Sequence, residues 1–196
     1  QHGEVKGFDI YGNNRYIYQY ISEKYPENEI KFDINKIKLV TIDIEVKSEK
    51  GFPTVEACDE EMLCITLQDY ATKRILTFGV GPYHHNDKMV KYVQCNDEYD
   101  LLQHFVNFWS HDPPEVVTGW NCQLYDIPYL AKRITRVLGD KACKKLSPWG
   151  LVTHEEIYMQ GRAHTVYDIG GVTVLDYLDL YKKFTYKAQE SYRLDY

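Results

Sequence analysis

Lys38-Leu39-Val40-Thr41-Ile42-Asp43-Ile44-Glu45-Val46 is the stretch from which the fold can be read. It has the β-branched content of a buried strand, interrupted by two acids. Side chains in a strand alternate between faces, so Asp43 and Glu45 project from one side and Ile42 and Ile44 from the other. Two carboxylates held side by side repel each other and lose hydration. A cation between them relieves both costs, so the pattern suggests a divalent-metal site with oxygen ligands. The alternative is an edge strand whose acids point into water.

Downstream, residues 62–70 and 74–80 read as two more strands joined by Ala71-Thr72-Lys73, which predicts an antiparallel meander. A helix is expected over 97–110, with Asn96 as N-cap and Asp97, Glu98 and Asp100 near its positive end. Leu101, Leu102, Phe105, Phe108 and Trp109 supply its apolar stripe, and Pro113-Pro114 stops it. Residues 115–120 form a short buried strand, and 127–138 a second helix ending at Gly139. Residues 150–168 alternate polar and apolar around Gln160-Gly161-Arg162, as in a β-hairpin. A strand over 172–175 then leads into a helix over 176–184. Residues 1–37 read as short strands and turns, from Gly12-Asn13-Asn14 and Pro26-Glu27-Asn28. Strands first, then alternating helices and strands, predict an α/β layer with a mixed sheet.

The chain has 196 residues, 44% hydrophobic and 27% charged, as an ordinary globular core requires. No stretch approaches the roughly 20 apolar residues that span a bilayer, so no membrane partner is expected. The start, Gln1-His2-Gly3-Glu4, resembles neither a signal nor a transit peptide and lacks an initiator Met, so a piece of a longer protein is expected. Five scattered cysteines without C-x-x-C spacing read as free thiols rather than disulfides or a zinc site. The seven histidines form no H-E-x-x-H, and His84-His85 reads as solvated. A net charge of −6 argues against gripping duplex DNA through a basic surface. It does not exclude an enzyme acting on nucleic acid, because bound divalent ions offset acidic charge. The 18 tyrosines could stack on bases or serve as ordinary core.

A second carboxylate site lies in Asn121-Cys122-Gln123-Leu124-Tyr125-Asp126, between the strand at 115–120 and the helix at 127–138. Ligands collect at the carboxyl ends of strands in α/β sheets, which suits Asp126 as a ligand and Asn121 as a partner for a sugar or phosphate oxygen. Taken on this segment alone, Asp126 reads more readily as a plain N-cap.

Read together, the Asp43-x-Glu45 strand and Asn121-x-x-x-Tyr125-Asp126 resemble the first two exonuclease motifs of family B DNA polymerases, and Gly51-Phe52-Pro53 and Thr118-Gly119-Trp120-Asn121 carry the resemblance further. Leu146-Ser147-Pro148, the run 175–184 (Leu-Asp-Tyr-Leu-Asp-Leu-Tyr-Lys-Lys-Phe) and Ser191-Tyr192-Arg193-Leu194-Asp195-Tyr196 extend the resemblance toward the replicative polymerases of T-even-type phages. It spans almost the whole chain, weakly before residue 38.

The resemblance implies a proofreading 3′→5′ exonuclease on a ribonuclease-H-like fold: a five-stranded mixed β-sheet flanked by helices, with a β-hairpin insertion. It implies residues 1–37 as a peripheral segment, the end of a polymerase N-terminal domain, and 38–196 as the exonuclease domain. Two divalent ions, Mg²⁺ or Mn²⁺, are held in the family by four acids, of which Asp43, Glu45 and Asp126 match three and act as catalytic ligands. Phe52 matches an aromatic that stacks near the primer terminus, although loop packing explains it as well. Asn121 matches a residue near the scissile strand. The tip Met159-Gln160-Gly161 resembles the hairpin that helps part primer from template. Implied partners are single-stranded and primer-template DNA, the rest of the polymerase chain and, through it, a sliding clamp. The implied compartment is the cytoplasm of an infected bacterium.

The family's third motif, Tyr-x-x-x-Asp, is not found in place. Tyr192-Arg193-Leu194-Asp195 has the wrong spacing and matches the helix start that precedes that motif. The chain is therefore expected to stop short of its fourth ligand and to have little activity alone. Asp176 and Asp179 are poor substitutes, because their family counterparts are structural. A non-catalytic nucleic-acid or partner-binding module on the same scaffold is the rival reading, and a ribonuclease H or integrase a more distant one.

Overall fold

A computed structural model describes residues 16–25, 33–49, 51–159, 161–185, 187 and 189–193. The turns expected at Gly12-Asn13-Asn14 and Pro26-Glu27-Asn28, the hairpin-tip residue Gln160, and Leu194, Asp195 and Tyr196 lie outside these residues. The chain divides into two compact units, residues 1–34 and 35–196.

In the first unit the described residues form helix α1 (Tyr16–Lys24), which corrects the expectation of short strands there. The segment contains neither Gly nor Pro, and the Gln19 side chain bonds Glu23 one turn on at 2.9 Å. A helix satisfies its backbone locally, whereas an isolated strand has no partner for its amides.

The second unit is built on a six-stranded sheet. Its strands are β1 (Leu39–Val46), β2 (Met62–Asp69), β3 (Ile75–Val80), β4 (Val90–Cys95), β5 (Val116–Gly119) and β8 (Thr173–Asp176), in the order β4-β3-β2-β1-β5-β8. The expected meander is present: β1 pairs antiparallel with β2, and β2 with β3. On the other side of β1 lie β5 and then β8, both parallel. Five of these strands form the mixed ribonuclease-H-like sheet. The sixth, β4, corrects the expected count: it lies parallel to β3 at the sheet edge, where Val90-Lys91-Tyr92-Val93-Gln94-Cys95 is only partly buried. A separate two-stranded sheet, β6 (Val152–Met159) with β7 (Arg162–Ile169), is the expected hairpin. Its base is held by the Ser147 hydroxyl, which donates to the Gly170 carbonyl at 2.6 Å.

Helices α2 (Glu98–His111) and α3 (Asp126–Leu138) pack with Val40, Ile42 and Ile44 of β1 in one apolar core. Leu101, Phe105 and Trp109 from α2 meet Ile127, Leu130 and Ile134 from α3 there, each fully buried side chain contributing about 1.5–3 kcal/mol. Phe108, expected in the stripe, is 42% exposed, and Val106 is buried instead. The cap of α2 is Asp97 rather than Asn96: its carboxylate accepts the Asp100 amide at 2.8 Å. An ionised acceptor suits that position, and Asn96 donates to the Asp100 carboxylate at 3.0 Å. Helix α3 ends as expected at Gly139, whose φ of 89° only glycine adopts freely. A short helix α4 (Asp140–Cys143) follows, and α5 (Tyr177–Phe184) leaves β8. All five cysteines are free thiols.

Glu98 and Arg133 form a buried ion pair between α2 and α3, with Nε donating to Oε1 at 2.7 Å and Nη2 to Oε2. Glu98 also accepts the Met62 amide at 2.9 Å, which ties both helices to the start of β2.

Candidate functional site

Strand β1 shows the period-two alternation its sequence requires. Val40, Ile42 and Ile44 are buried, while Asp43 and Glu45 stand on the open face. Its parallel pairing with β5 stops at Thr41 opposite Thr118, so the β5 edge of β1 is uncovered beyond that point. Asp126 covers it: the Ile44 amide donates to Asp126 Oδ1 at 3.1 Å.

This contact corrects the reading of Asp126 as a plain N-cap. Tyr125 occupies the cap position without a side-chain hydrogen bond, and Asp126 is the first helical residue. Its carboxylate leaves the helix for the backbone of β1 at the residue between Asp43 and Glu45. Asp126 is thereby brought, from up to 83 positions away in sequence, to the backbone of the strand end that carries Asp43 and Glu45.

Electrostatics bear on this grouping. Burial pushes the Asp126 carboxyl up to about 7, and the like charge of Asp43 adds to the shift. Desolvation also raises Asp43. Asp126 is 5% exposed and has no ion-pair partner among the described residues. Tyr125 is pushed up to about 12, first by burial and then by Asp126, with a smaller effect of Glu45.

Phe52 stands 79% exposed beside this group, its ring 5.3 Å from that of Tyr125, which in turn lies 5.7 Å from Tyr129. The loop after Phe52 is clamped by one face of α3. Lys132 donates to the Val55 carbonyl at 3.0 Å, Arg133 to Cys58 at 3.0 Å, Arg136 to Ala57 at 3.1 Å, and the Tyr129 hydroxyl to Glu60 at 2.8 Å. Reasoning from sequence overlooked these clamp residues. The signal was the set Tyr125, Tyr129, Lys132, Arg133 and Arg136, whose spacing places long polar side chains on one side of a helix.

Asn121 opens the turn between β5 and α3 with a φ of 62°, a left-handed conformation that costs a non-glycine residue about 1 kcal/mol. Its carbonyl accepts the amides of Leu124 (3.2 Å) and Tyr125 (3.0 Å), and its own amide donates to Asp176 Oδ1 at 3.0 Å. Asp176 is thus engaged with the backbone of this turn. Met159 and Gly161 lie at the tip of the hairpin, in the separate two-stranded sheet rather than in the sheet that carries Asp43 and Glu45.

Among the described residues no group of three or more His, Cys, Asp and Glu side chains stands close enough to hold a metal ion. The donor chemistry nevertheless fits a hard divalent cation in part. Asp43 and Asp126 are oxygen donors that repel each other, and the buried one lacks a compensating charge. Glu45 stands on the same strand face.

Comparison with known proteins places the chain among relatives. The family model for the DNA polymerase family B exonuclease domain matches residues 11–196. A DNA-directed DNA polymerase of Escherichia phage RB69 is 32% identical over 97% of this chain, and one of Enterobacteria phage T4 is 30% identical over 96%. The DNA polymerase catalytic subunit of Human herpesvirus 8 type P is 30% identical over 50%. The chain spans 24% of the length of either phage relative and 10% of the herpesvirus one.

Proposed function

The chain belongs to the DNA polymerase family B exonuclease domains, and from that premise we propose that it is the proofreading 3′→5′ exonuclease of a DNA-directed DNA polymerase. It would remove the 3′-terminal nucleotide of single-stranded DNA at the frayed end of a primer-template. Residues 38–196 would form the nuclease, and residues 1–37 the end of the polymerase N-terminal domain. The remaining polymerase and, through it, a sliding clamp would be its partners, in the cytoplasm of an infected bacterium.

The observation that carries this reading is the Asp126 carboxylate bonded to the Ile44 amide, between Asp43 and Glu45. Those three carboxylates would hold two divalent ions, Mg²⁺ or Mn²⁺. Such ions, when bound, activate water near neutral pH and stabilise the departing 3′ oxygen. The side chains around them would do the rest. Phe52, exposed and backed by Tyr125, offers a stacking face for an unpaired base, which suits a strand read without sequence preference. Asn121, held in its turn, would direct its amide toward the backbone of that strand. The hairpin tip at Met159, Gln160 and Gly161 would help part primer from template.

Alanine at both Asp43 and Glu45 in the natural full-length protein is expected to abolish 3′→5′ shortening of a single strand while strand binding persists. Unchanged cleavage rates would refute the assignment.

A non-catalytic module on the same scaffold is the second reading, favoured by the lack of a three-donor metal cluster among the described residues. Calorimetric titration with Mn²⁺, with and without a short single strand, separates the two. A nuclease binds the ion more tightly once the strand is present, and a binding module shows no such coupling.

A further inference from the structure

We infer that Asp176 is a positioning residue for the single-stranded end, acting through Asn121; this deepens the exonuclease reading and rests on it. Asp176 closes strand β8 directly opposite Gly119, the last residue of β5. It is 6% exposed, and its carboxylate accepts three backbone amides. Oδ1 takes those of Asn121 at 3.0 Å and Leu178 at 2.9 Å, and Oδ2 takes that of Gln123 at 2.9 Å.

One of these bonds caps helix α5, as an aspartate at that position ordinarily does. The other two do something a cap does not require. They reach across to the neighbouring strand connection and fix the two residues that begin the turn into α3. Asn121 has a φ of 62°, a left-handed conformation that asparagine adopts more readily than other non-glycine residues. Both its amide and its carbonyl are held there by hydrogen bonds. The holding groups are the Asp176 carboxylate on its amide and the Leu124 and Tyr125 amides on its carbonyl. A buried carboxylate bonded to three amides at 2.9–3.0 Å fixes the backbone it binds.

The direction in which Asn121 presents its side chain is thus set from β8, 55 positions away in sequence. Asp126 lies five residues beyond Asn121 and has its own anchor on Ile44, so its placement depends on Asp176 less, although the charge of Asp176 still reaches it. Loss of the pin should weaken capture of the strand more than it slows cleavage.

The test is Asp176→Asn in the natural full-length protein. The amide keeps an oxygen for Asn121 and Leu178 but turns an N–H₂ group toward the Gln123 amide, so the turn is released without emptying the space. Two readouts are taken: KM and kcat for shortening a single-stranded oligonucleotide with Mg²⁺, and hydrogen exchange at the amides of Asn121 and Gln123. Loss of one charge-assisted bond predicts a rise in KM of roughly tenfold, a smaller change in kcat, and faster exchange at both amides. Asp176→Ala should raise KM further. If KM is unchanged, or kcat alone falls as it would with fewer folded molecules, the inference is overturned. Wild-type protein that cannot shorten the strand overturns instead the exonuclease reading beneath it, so the two failures are told apart.

Discussion

Asp126 accepts the Ile44 amide 82 positions earlier in the chain, and through that one bond the start of α3 is locked to the acid-bearing end of β1. The bond keeps a carboxylate where burial and the charge of Asp43 disfavour its ionised form, with its pKa pushed up to about 7. The folded state therefore holds this proton more tightly than the unfolded chain does. Asp126 costs no stability below its unfolded value near 4, and stability falls as pH rises from there through about 7. Asp126→Asn retains an oxygen for Ile44 and removes the ionisation. In metal-free buffer the variant should gain on wild type by up to a few kcal/mol between pH 4 and 8, as measured by urea unfolding across that range. A constant difference between the two proteins would contradict the argument.

A divalent ion should act in the opposite sense, because it competes with the same proton. Mn²⁺ is expected to raise the unfolding temperature of the natural full-length protein more at pH 8 than at pH 6, and Asp43→Asn should reduce that rise. A metal-induced shift that is independent of pH would mean that these carboxylates are not its ligands.

Arg133 and Glu98 present a different balance. Both are buried, and Glu98 accepts from Met62 as well as from Arg133. Arg133→Met leaves an uncompensated carboxylate in the core and should cost about 3–5 kcal/mol. Adding Glu98→Gln should recover part of that loss, because a neutral amide tolerates the site better. A double-mutant cycle by chemical denaturation checks this, and strictly additive losses would show that the pair is not coupled.

Much of this architecture is legible in the sequence. The alternation at residues 39–46 identifies β1 and the face of Asp43 and Glu45, and turn chemistry around Ala71-Thr72-Lys73 and Gly161 places the meander and the hairpin. These signals are local: period, turn residue and strand length. What escapes is non-local. Strand β4 is stabilised by lying along β3, and its half-buried pattern looks like neither a core strand nor an amphipathic one. Asp126 has the sequence of a cap, and only the early end of β5 frees an amide on β1 for it. Asp176 invites comparison with a metal ligand, yet three amides from two connections occupy it.

Gly119 lies just beyond the last β5 residue paired with β1, with no room for a side chain. A Cβ there would stand 2.7 Å from the Ile42 carbonyl oxygen and 2.8 Å from the Cys122 Cβ. Neither neighbour yields easily, since one is strand backbone and the other is a buried residue in the turn that Asn121 opens. Gly119→Ala should destabilise by about 1–3 kcal/mol through overpacking. It should also displace the turn, so that exchange quickens at Asn121 and Gln123 while the amides of β2 stay protected. Unaltered stability would show that the two strands separate more easily than their spacing indicates.

Phe52 offers the opposite case, a large apolar side chain that the fold does not need. It is 79% exposed and meets the protein through the Tyr125 ring. Its removal should therefore change stability by no more than about 0.5 kcal/mol. If it stacks on an unpaired base, Phe52→Ala should weaken binding of a short single strand by about 5- to 150-fold, the worth of one base–aromatic stack. Phe52→Trp should retain binding, because any flat aromatic face serves. Fluorescence anisotropy with a labelled oligonucleotide measures the affinities, and thermal unfolding measures the stabilities. Weakened binding together with an equal loss of stability would assign Phe52 to loop packing. Weakened binding with stability intact, restored by tryptophan, would assign it to the strand.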